Sequence, residues 1–141
     1  MFKKIACTLI IAGFAAPAFG EDASLTVAVT EIKEVQGAIM MAVFNAEEAY
    51  EGGGPSVKAA RIEVDASEVS VTFDDLPPGR YAIKLYHDAN SNGELDTNMM
   101  GLPKEPYGFS GKGGRMGPPP FEKAAFDVVA GEDNAVTVRL R

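Results

Sequence analysis

The sequence predicts an all-β fold, a single antiparallel seven-stranded β-sandwich, on three observations. Seven short stretches carry apolar residues at period two or as brief continuous runs. Clusters of Gly, Pro, Asn and Asp separate them roughly every ten residues, the turn spacing of sandwiches. No stretch repeats its apolar residues at the 3.6-residue period that marks a convincing helix. A small barrel is the alternative way to close the same strands.

The first 20 residues stand apart from this pattern. Lys3 and Lys4 precede an apolar run from Ile5 to about Ala15, and Ala18-Phe19-Gly20 puts small residues at the positions that define a cleavage site. This is the composition of a secretory signal peptide. The apolar run falls short of the ~20 residues that a membrane span needs. Cys7 lies within the apolar run and not directly after it, so no lipid-attachment site follows. The expectation is a soluble domain over residues 21–141, in the periplasm or secreted, with no membrane insertion once the signal is removed. That domain carries 11 Lys+Arg against 20 Asp+Glu, a net charge of −9. Such an acidic balance argues against nucleic acid as a partner and favours cations. Cys7 is the only cysteine in the sequence, so no disulfide braces the domain, and a bound metal is a natural substitute.

The strands follow in order. Leu25, Val27 and Val29 alternate with Thr26, Ala28 and Thr30, as a strand with one buried face does. After Gln36-Gly37, residues Ala38 to Asn45 are apolar on both faces, which indicates a central strand. Glu47 to Ser56 contains Gly52, Gly53, Gly54 and Pro55 and reads as a loop. Val57 to Val64 is a third strand, at an edge, and Val69, Val71 and Phe73 make a fourth. Leu76-Pro77-Pro78-Gly79 forms a tight turn in which proline fixes φ. Tyr81, Ile83 and Leu85 continue as a fifth strand. Between Gly101 and Pro120, 11 of 20 residues are Gly or Pro, so a long irregular loop is expected there, of the kind that carries function. Phe121, Phe126 and Val128 give a sixth strand, and Val136, Val138 and Leu140 the last.

One stretch carries chemistry. In His87-Asp88-Ala89-Asn90-Ser91-Asn92-Gly93-Glu94-Leu95-Asp96, oxygen-bearing side chains fall on alternate residues, a glycine follows the third, and an acid closes the run. Calcium loops place ligands at positions one, three and five, glycine at six, a main-chain carbonyl at seven and an acid at nine. The candidate metal ligands are therefore Asp88, Asn90, Asn92, Glu94 through its carbonyl, and Asp96. The loop is not an EF-hand. A strand precedes it, Gly101 and Pro103 forbid an exit helix, and Met99 occupies position twelve, where an EF-hand has its bidentate glutamate. Without that acid a calcium site is weak, near 10⁻⁴–10⁻³ M, unless a distant acid completes it. Glu105 is the candidate. The competing reading is a plain turn, since Asn and Asp bond their own backbone.

Support for catalysis is thin. His87 is the only histidine and falls on the face of Tyr81, Ile83 and Leu85, where a packed histidine is expected. Ser110 lacks the spacing of a nucleophile elbow. Gly111-Lys112-Gly113 lacks the strand, glycine spacing and helix of a phosphate loop. Tyr107, Phe109 and Ser110 are candidate partner-binding residues, with Tyr and Phe positioned to stack on a sugar or grip a peptide. Their competing role is to fold back over the core edge.

Phe73-x-x-Leu76-Pro77-Pro78-Gly79-x-Tyr81-Ala82, then His87-Asp88-x-Asn90-x-Asn92-Gly93-x-Leu95-Asp96, then Gly101-x-Pro103-x-Glu105-x-Tyr107-Gly108-Phe109-Ser110 resembles the bacterial exported family known as domain of unknown function 2141 (DUF2141). The resemblance implies fold and localisation and no reaction. More loosely, the Leu-Pro-Pro-Gly-x-Tyr turn is similar to prealbumin-like (immunoglobulin-like) and collagen-adhesin B-type sandwiches. The Asp-x-Asn-x-Asn-Gly-x-x-Asp run resembles the calcium loops of the latter. The expected function is a non-enzymatic, monomeric module. A structural calcium in the loop 88–96 would support a Gly/Pro-rich binding loop, 101–120, for envelope protein or glycan. Two alternatives are a hydrolase of envelope polymers using His87 and Glu105 near the metal, and a carrier of small apolar ligands using the Met40 strand and the loop aromatics. The carrier requires a preformed apolar pocket.

Overall fold

A computed structural model describes residues 22–113 and 117–141, so the expected signal peptide lies outside the described residues. Eight strands and two short helices are formed among them: β1 Ala23–Thr30, β2 Ala38–Phe44, α1 Glu47–Gly52, β3 Lys58–Glu63, β4 Val69–Leu76, β5 Gly79–Asp88, β6 Tyr107–Phe109, α2 Phe121–Ala124, β7 Phe126–Val128 and β8 Asp133–Arg139. One sheet has the order β4-β1-β8 and the other β3-β2-β5-β6, with β7 paired to the start of β5.

The two sheets share one core, and the period-two pattern accounts for it. Leu25, Val27 and Val29 of β1 are buried while their alternate neighbours are half-buried. They meet Ile39, Met41 and Val43 of β2, Ile83 and Leu85 of β5, and Val138 of β8 in a single cluster. Burying each such aliphatic side chain contributes about 1.5–3 kcal/mol. The turn before β5 is tied from inside: Tyr81 donates its hydroxyl to the Pro77 carbonyl at 2.5 Å. Doubly apolar β2 lies between β3 and β5, as a central strand should.

The structure corrects the expected sandwich in three respects. β8 runs parallel to β1, from Ser24↔Asp133 to Thr30↔Arg139, so the first sheet is mixed and not antiparallel. Alternation reports which face is buried and is blind to strand direction. The direction is imposed by the crossover from β7, which pairs with β5 of the other sheet. An eighth strand, β6, forms inside the Gly/Pro-rich segment. Gly108 makes this possible, because a Cβ there would sit 2.8 Å from both the Arg139 carbonyl oxygen and Val138. Finally, two expected non-helical segments are helical. Glu47 and Glu48 occupy the first turn of α1, where acids favour the helix dipole, and Gly53 ends it at φ 72°. Phe121, expected in a strand, opens α2 directly after Pro120.

Candidate cation loop and apolar groove

β5 delivers the loop. Its last residue, Asp88, is 1% exposed, and its carboxylate accepts from the backbone N–H of Asn92 at 3.1 Å and of Gly93 at 2.8 Å. Gly93 stands at φ 79° and Ser91 at φ 56°, so the chain turns sharply enough to fold back on that carboxylate. Asn90 and Asn92 accept from the N–H groups of Asn92 and Glu94 through their own side-chain oxygens, at 3.2 and 3.0 Å. Their amide nitrogens converge on one carboxylate: Asn90 donates to Asp96 Oδ2 at 2.5 Å and Asn92 to Asp96 Oδ1 at 2.8 Å. Thus Asp88, Asn90, Asn92 and Asp96 form one connected polar cluster, in which Asp and Asn side chains bond their own backbone as the plain-turn reading expects. The oxygen and nitrogen of an Asn amide exchange places by a half-turn of its terminal torsion. Each amide can therefore present its oxygen to the same region, at the cost of the backbone N–H bond which that oxygen now accepts.

Charge in this cluster is one-sided. Three ion pairs occur among the described residues, Arg61–Glu63, Arg80–Asp127 and Arg139–Glu31, and none involves Asp88, Glu94, Asp96 or Glu105. Burial, and then the carboxylates of Asp88, Glu105 and Glu94, push the Tyr86 phenol above its ordinary pKa. Glu105 is 9% exposed. One of its oxygens accepts from the Asp96 N–H at 3.2 Å, and the other is buried with no hydrogen-bond partner among the described residues. Glu105 therefore reaches the loop, as the sequence suggests, but by holding Asp96 through its backbone. No group of three His, Cys, Asp or Glu residues gathers at metal-binding spacing among the described residues. The donor set on offer is two carboxylates and two carboxamides, with main-chain carbonyls to add. That suits a hard cation held weakly.

Beyond Asp96 the chain makes a narrow excursion. Lys104 donates from its backbone to the Asp96 carbonyl at 2.8 Å and Asn98 to that of Leu102 at 2.8 Å, and Thr97 bridges Pro103. Asn98 Oδ1 closes the tip by accepting from Met100 and Leu102 N–H. Met99 and Met100, 106% and 83% exposed, project from that tip. Position twelve thus points away from the loop.

The excursion walls a groove on the outer face of the five-stranded sheet. Register fixes its floor. Met40 lies opposite Tyr86 and Ala42 opposite Lys84 across β2 and β5. Arg61 of β3 flanks Met40, and β6 adds Tyr107 beside Tyr86 and Phe109 beside Lys84. Leu95, Leu102 and Pro103 complete one wall, and the cavity measures about 1080 Å³. Phe44 also borders it, and packs with Tyr50, Ala82, Phe121 and Ala124 in a second apolar cluster. Tyr86 joins groove and loop directly, since its hydroxyl donates to the Gly93 carbonyl at 3.0 Å.

The remaining candidates sort by burial. His87 is 1% exposed, and its Nε2–H donates to the Gln36 carbonyl at 2.7 Å. It is the packed histidine expected on that face, and the hydrolase alternative finds no accessible imidazole there. Tyr107 and Phe109 lie side by side, ring centroids 5.6 Å apart, and line the groove. Ser110, expected with them at a partner surface, is instead a buried strut. It accepts from Ile83 N–H at 2.8 Å and donates to the Ala124 carbonyl at 2.7 Å. Lys84 escapes sequence reasoning, because a lysine on a strand ordinarily reads as solvated. Its ammonium donates to the Tyr50 carbonyl and lies 4.3 Å from the Tyr50 ring centroid and 5.5 Å from that of Phe44.

Fold and site together define an all-β, two-sheet domain with an acidic Asp/Asn loop set beside an apolar groove. The chain belongs to a bacterial family described as "Uncharacterized protein conserved in bacteria (DUF2141)", whose family model matches residues 27–137. No curated protein and no solved structure matches the chain.

Proposed function

We propose that this protein is an exported, non-enzymatic binding module whose ligand site is the groove on the outer face of its five-stranded sheet. In this reading a calcium ion in the loop 88–96 holds the wall in shape. The observation that carries the reading is the groove itself, about 1080 Å³ and bordered by Met40, Ala42, Leu95, Tyr107 and Phe109. Ligand sites are concave and mainly apolar, with few polar groups. This cavity meets the condition set for the apolar-ligand carrier, and it merges that alternative with the binding-loop reading. Calcium is supported by the carboxylates of Asp88, Asp96 and Glu105, none of which is ion-paired among the described residues. Asp88, Asn90, Asn92 and Asp96, with the Glu94 carbonyl, would hold the ion, and Glu105 would orient Asp96. The ion would neutralise the cluster and stiffen the excursion, with no chemical step assigned to it. The Lys3 to Gly20 pattern supports export, and the Leu76 to Tyr81 turn supports a prealbumin-like kinship.

The test is binding of a neutral apolar probe, dodecanol, followed by displacement of a fluorescent dye. The wild type is expected to bind it. Ala42→Trp, which fills the floor from an outward-facing position, is expected to abolish binding while leaving the melting temperature within a few degrees. A wild type that binds no apolar probe, with or without calcium, overturns the reading.

A further inference from the structure

The chain is acidic, with 20 Asp+Glu against 13 Lys+Arg, yet among the described residues the groove is bordered by two cations, Arg61 and Lys84, and by no carboxylate. Arg61 pairs with Glu63, two residues along its own strand and on the exposed edge of the sheet. Lys84 is different. It stands mid-floor on β5, half-buried, and no carboxylate lies within ion-pair distance of it among the described residues. Its ammonium uses one donor on the Tyr50 carbonyl and rests over the Tyr50 and Phe44 rings. An ammonium carries three donors, so capacity remains for a ligand. Burial is the main influence on this group and holds its pKa below the usual lysine value, and the nearby charge of Glu51 opposes that shift. A partly desolvated cation gains most from an anion brought into contact with it, because water screens the pair less there.

We propose that the groove takes an amphiphilic monoanion, an apolar chain ending in a carboxylate or similar acidic head, with the head on Lys84 and the chain along Met40, Tyr86 and Tyr107. This inference rests on the groove being a ligand site and adds the charge of the ligand. Met99, Met100 and Leu102, exposed at the tip of the wall, offer the chain an apolar approach.

The experiment compares three probes of equal chain length on the full domain: dodecanoate, dodecanol and dodecyltrimethylammonium. Dodecanoate is expected to bind at least about tenfold more tightly than dodecanol, the factor that one charge-assisted hydrogen bond supplies. The ammonium probe is expected to bind most weakly. Lys84→Met should erase the preference for dodecanoate and keep dodecanol binding, whereas Lys84→Arg should retain the preference. Equal affinity of the wild type for dodecanoate and dodecanol overturns the charge assignment and leaves the groove reading intact. Failure of all three probes overturns both. A dodecanoate preference that survives in a folded Lys84→Met protein removes Lys84 from the role.

Discussion

Replacing Asp88 by alanine probes the join between the sheet and the loop. The Asp88 carboxylate is buried and satisfies two backbone N–H groups, those of Asn92 and Gly93, at 3.1 and 2.8 Å. Hydrogen bonds to a charged group contribute about 1.5–3 kcal/mol each. The loop is partly open, and water recovers part of the loss at the amides, so a total near 3 kcal/mol is expected. For a domain of this size each kcal/mol moves the melting temperature by about 4 °C, which puts the expected fall at about 12 °C. Asp88→Asn keeps one acceptor and should lose about half as much. Calorimetry in chelator isolates this term from any bound cation. An Asp88→Ala protein that melts within about 2 °C of the wild type under those conditions would refute the loop's role as a fixed turn on the end of β5.

Three further outcomes follow from the same structure. Gly37 stands at φ 67°, and a methyl there would lie 2.1 Å from the Asp88 carbonyl oxygen. Gly37→Ala should therefore cost about 3 kcal/mol or more by urea unfolding, and a cost below about 1 kcal/mol would contradict the close approach. Tyr50 is fully buried, its hydroxyl lacks a partner among the described residues, and burial followed by Glu51 pushes its pKa to about 12. Unfolded tyrosine ionises near pH 10, so between pH 10 and 12 the native state retains a proton that the unfolded state has released, and stability falls as pH rises. Lys84, with its pKa lowered, works in the opposite sense, so wild type and Tyr50→Phe are compared directly. Tyr50→Phe should flatten the alkaline decline and change stability at pH 7 by less than about 1 kcal/mol. An unchanged alkaline slope would argue against it. Calcium at a hundredfold excess over Kd should stabilise the wild type by about 2.7 kcal/mol, reversed by chelator. No shift at ~100 mM calcium, a hundredfold above the weak end of the expected ~10⁻⁴–10⁻³ M range, would remove the cation from the account.

Much of this molecule was legible from local pattern. Alternation in Leu25–Thr30 and Tyr81–Leu85 located two core strands, and the doubly apolar run from Ala38 located the central one, because burial on one face or both leaves a direct trace in the sequence. The Asp88–Asp96 cluster left a trace in its Asp and Asn residues at alternate positions, which a tight loop brings together. The parallel pairing of β1 with β8 was not, because direction depends on a crossover between sheets and on no residue within either strand. β6 was hidden by glycine and proline, which normally signal loops. Here Gly108 serves close packing against β8, and the flanking Tyr107 and Phe109 supply a strand's alternation over only three residues. Lys84 and Ser110 owe their roles to partners that arrive from elsewhere in the chain. The ammonium of Lys84 meets Tyr50 of α1 and Phe44 of β2. Serine in a glycine-rich loop was taken as exposed although Ile83 and Ala124 enclose it. Such partners are set by tertiary contact alone.

The central claim is that the loop and Glu105 form a cation-supported wall for the groove. A crystal structure of the domain grown in ~100 mM calcium, a hundredfold above the weak end of the ~10⁻⁴–10⁻³ M range, tests it most directly. The account predicts an ion with side-chain oxygens of Asp88, Asn90, Asn92 and Asp96 about 2.3–2.6 Å away, both amides turned to present oxygen. Finding Asn90 and Asn92 still donating to Asp96, with no ion between them at saturating calcium, would contradict it.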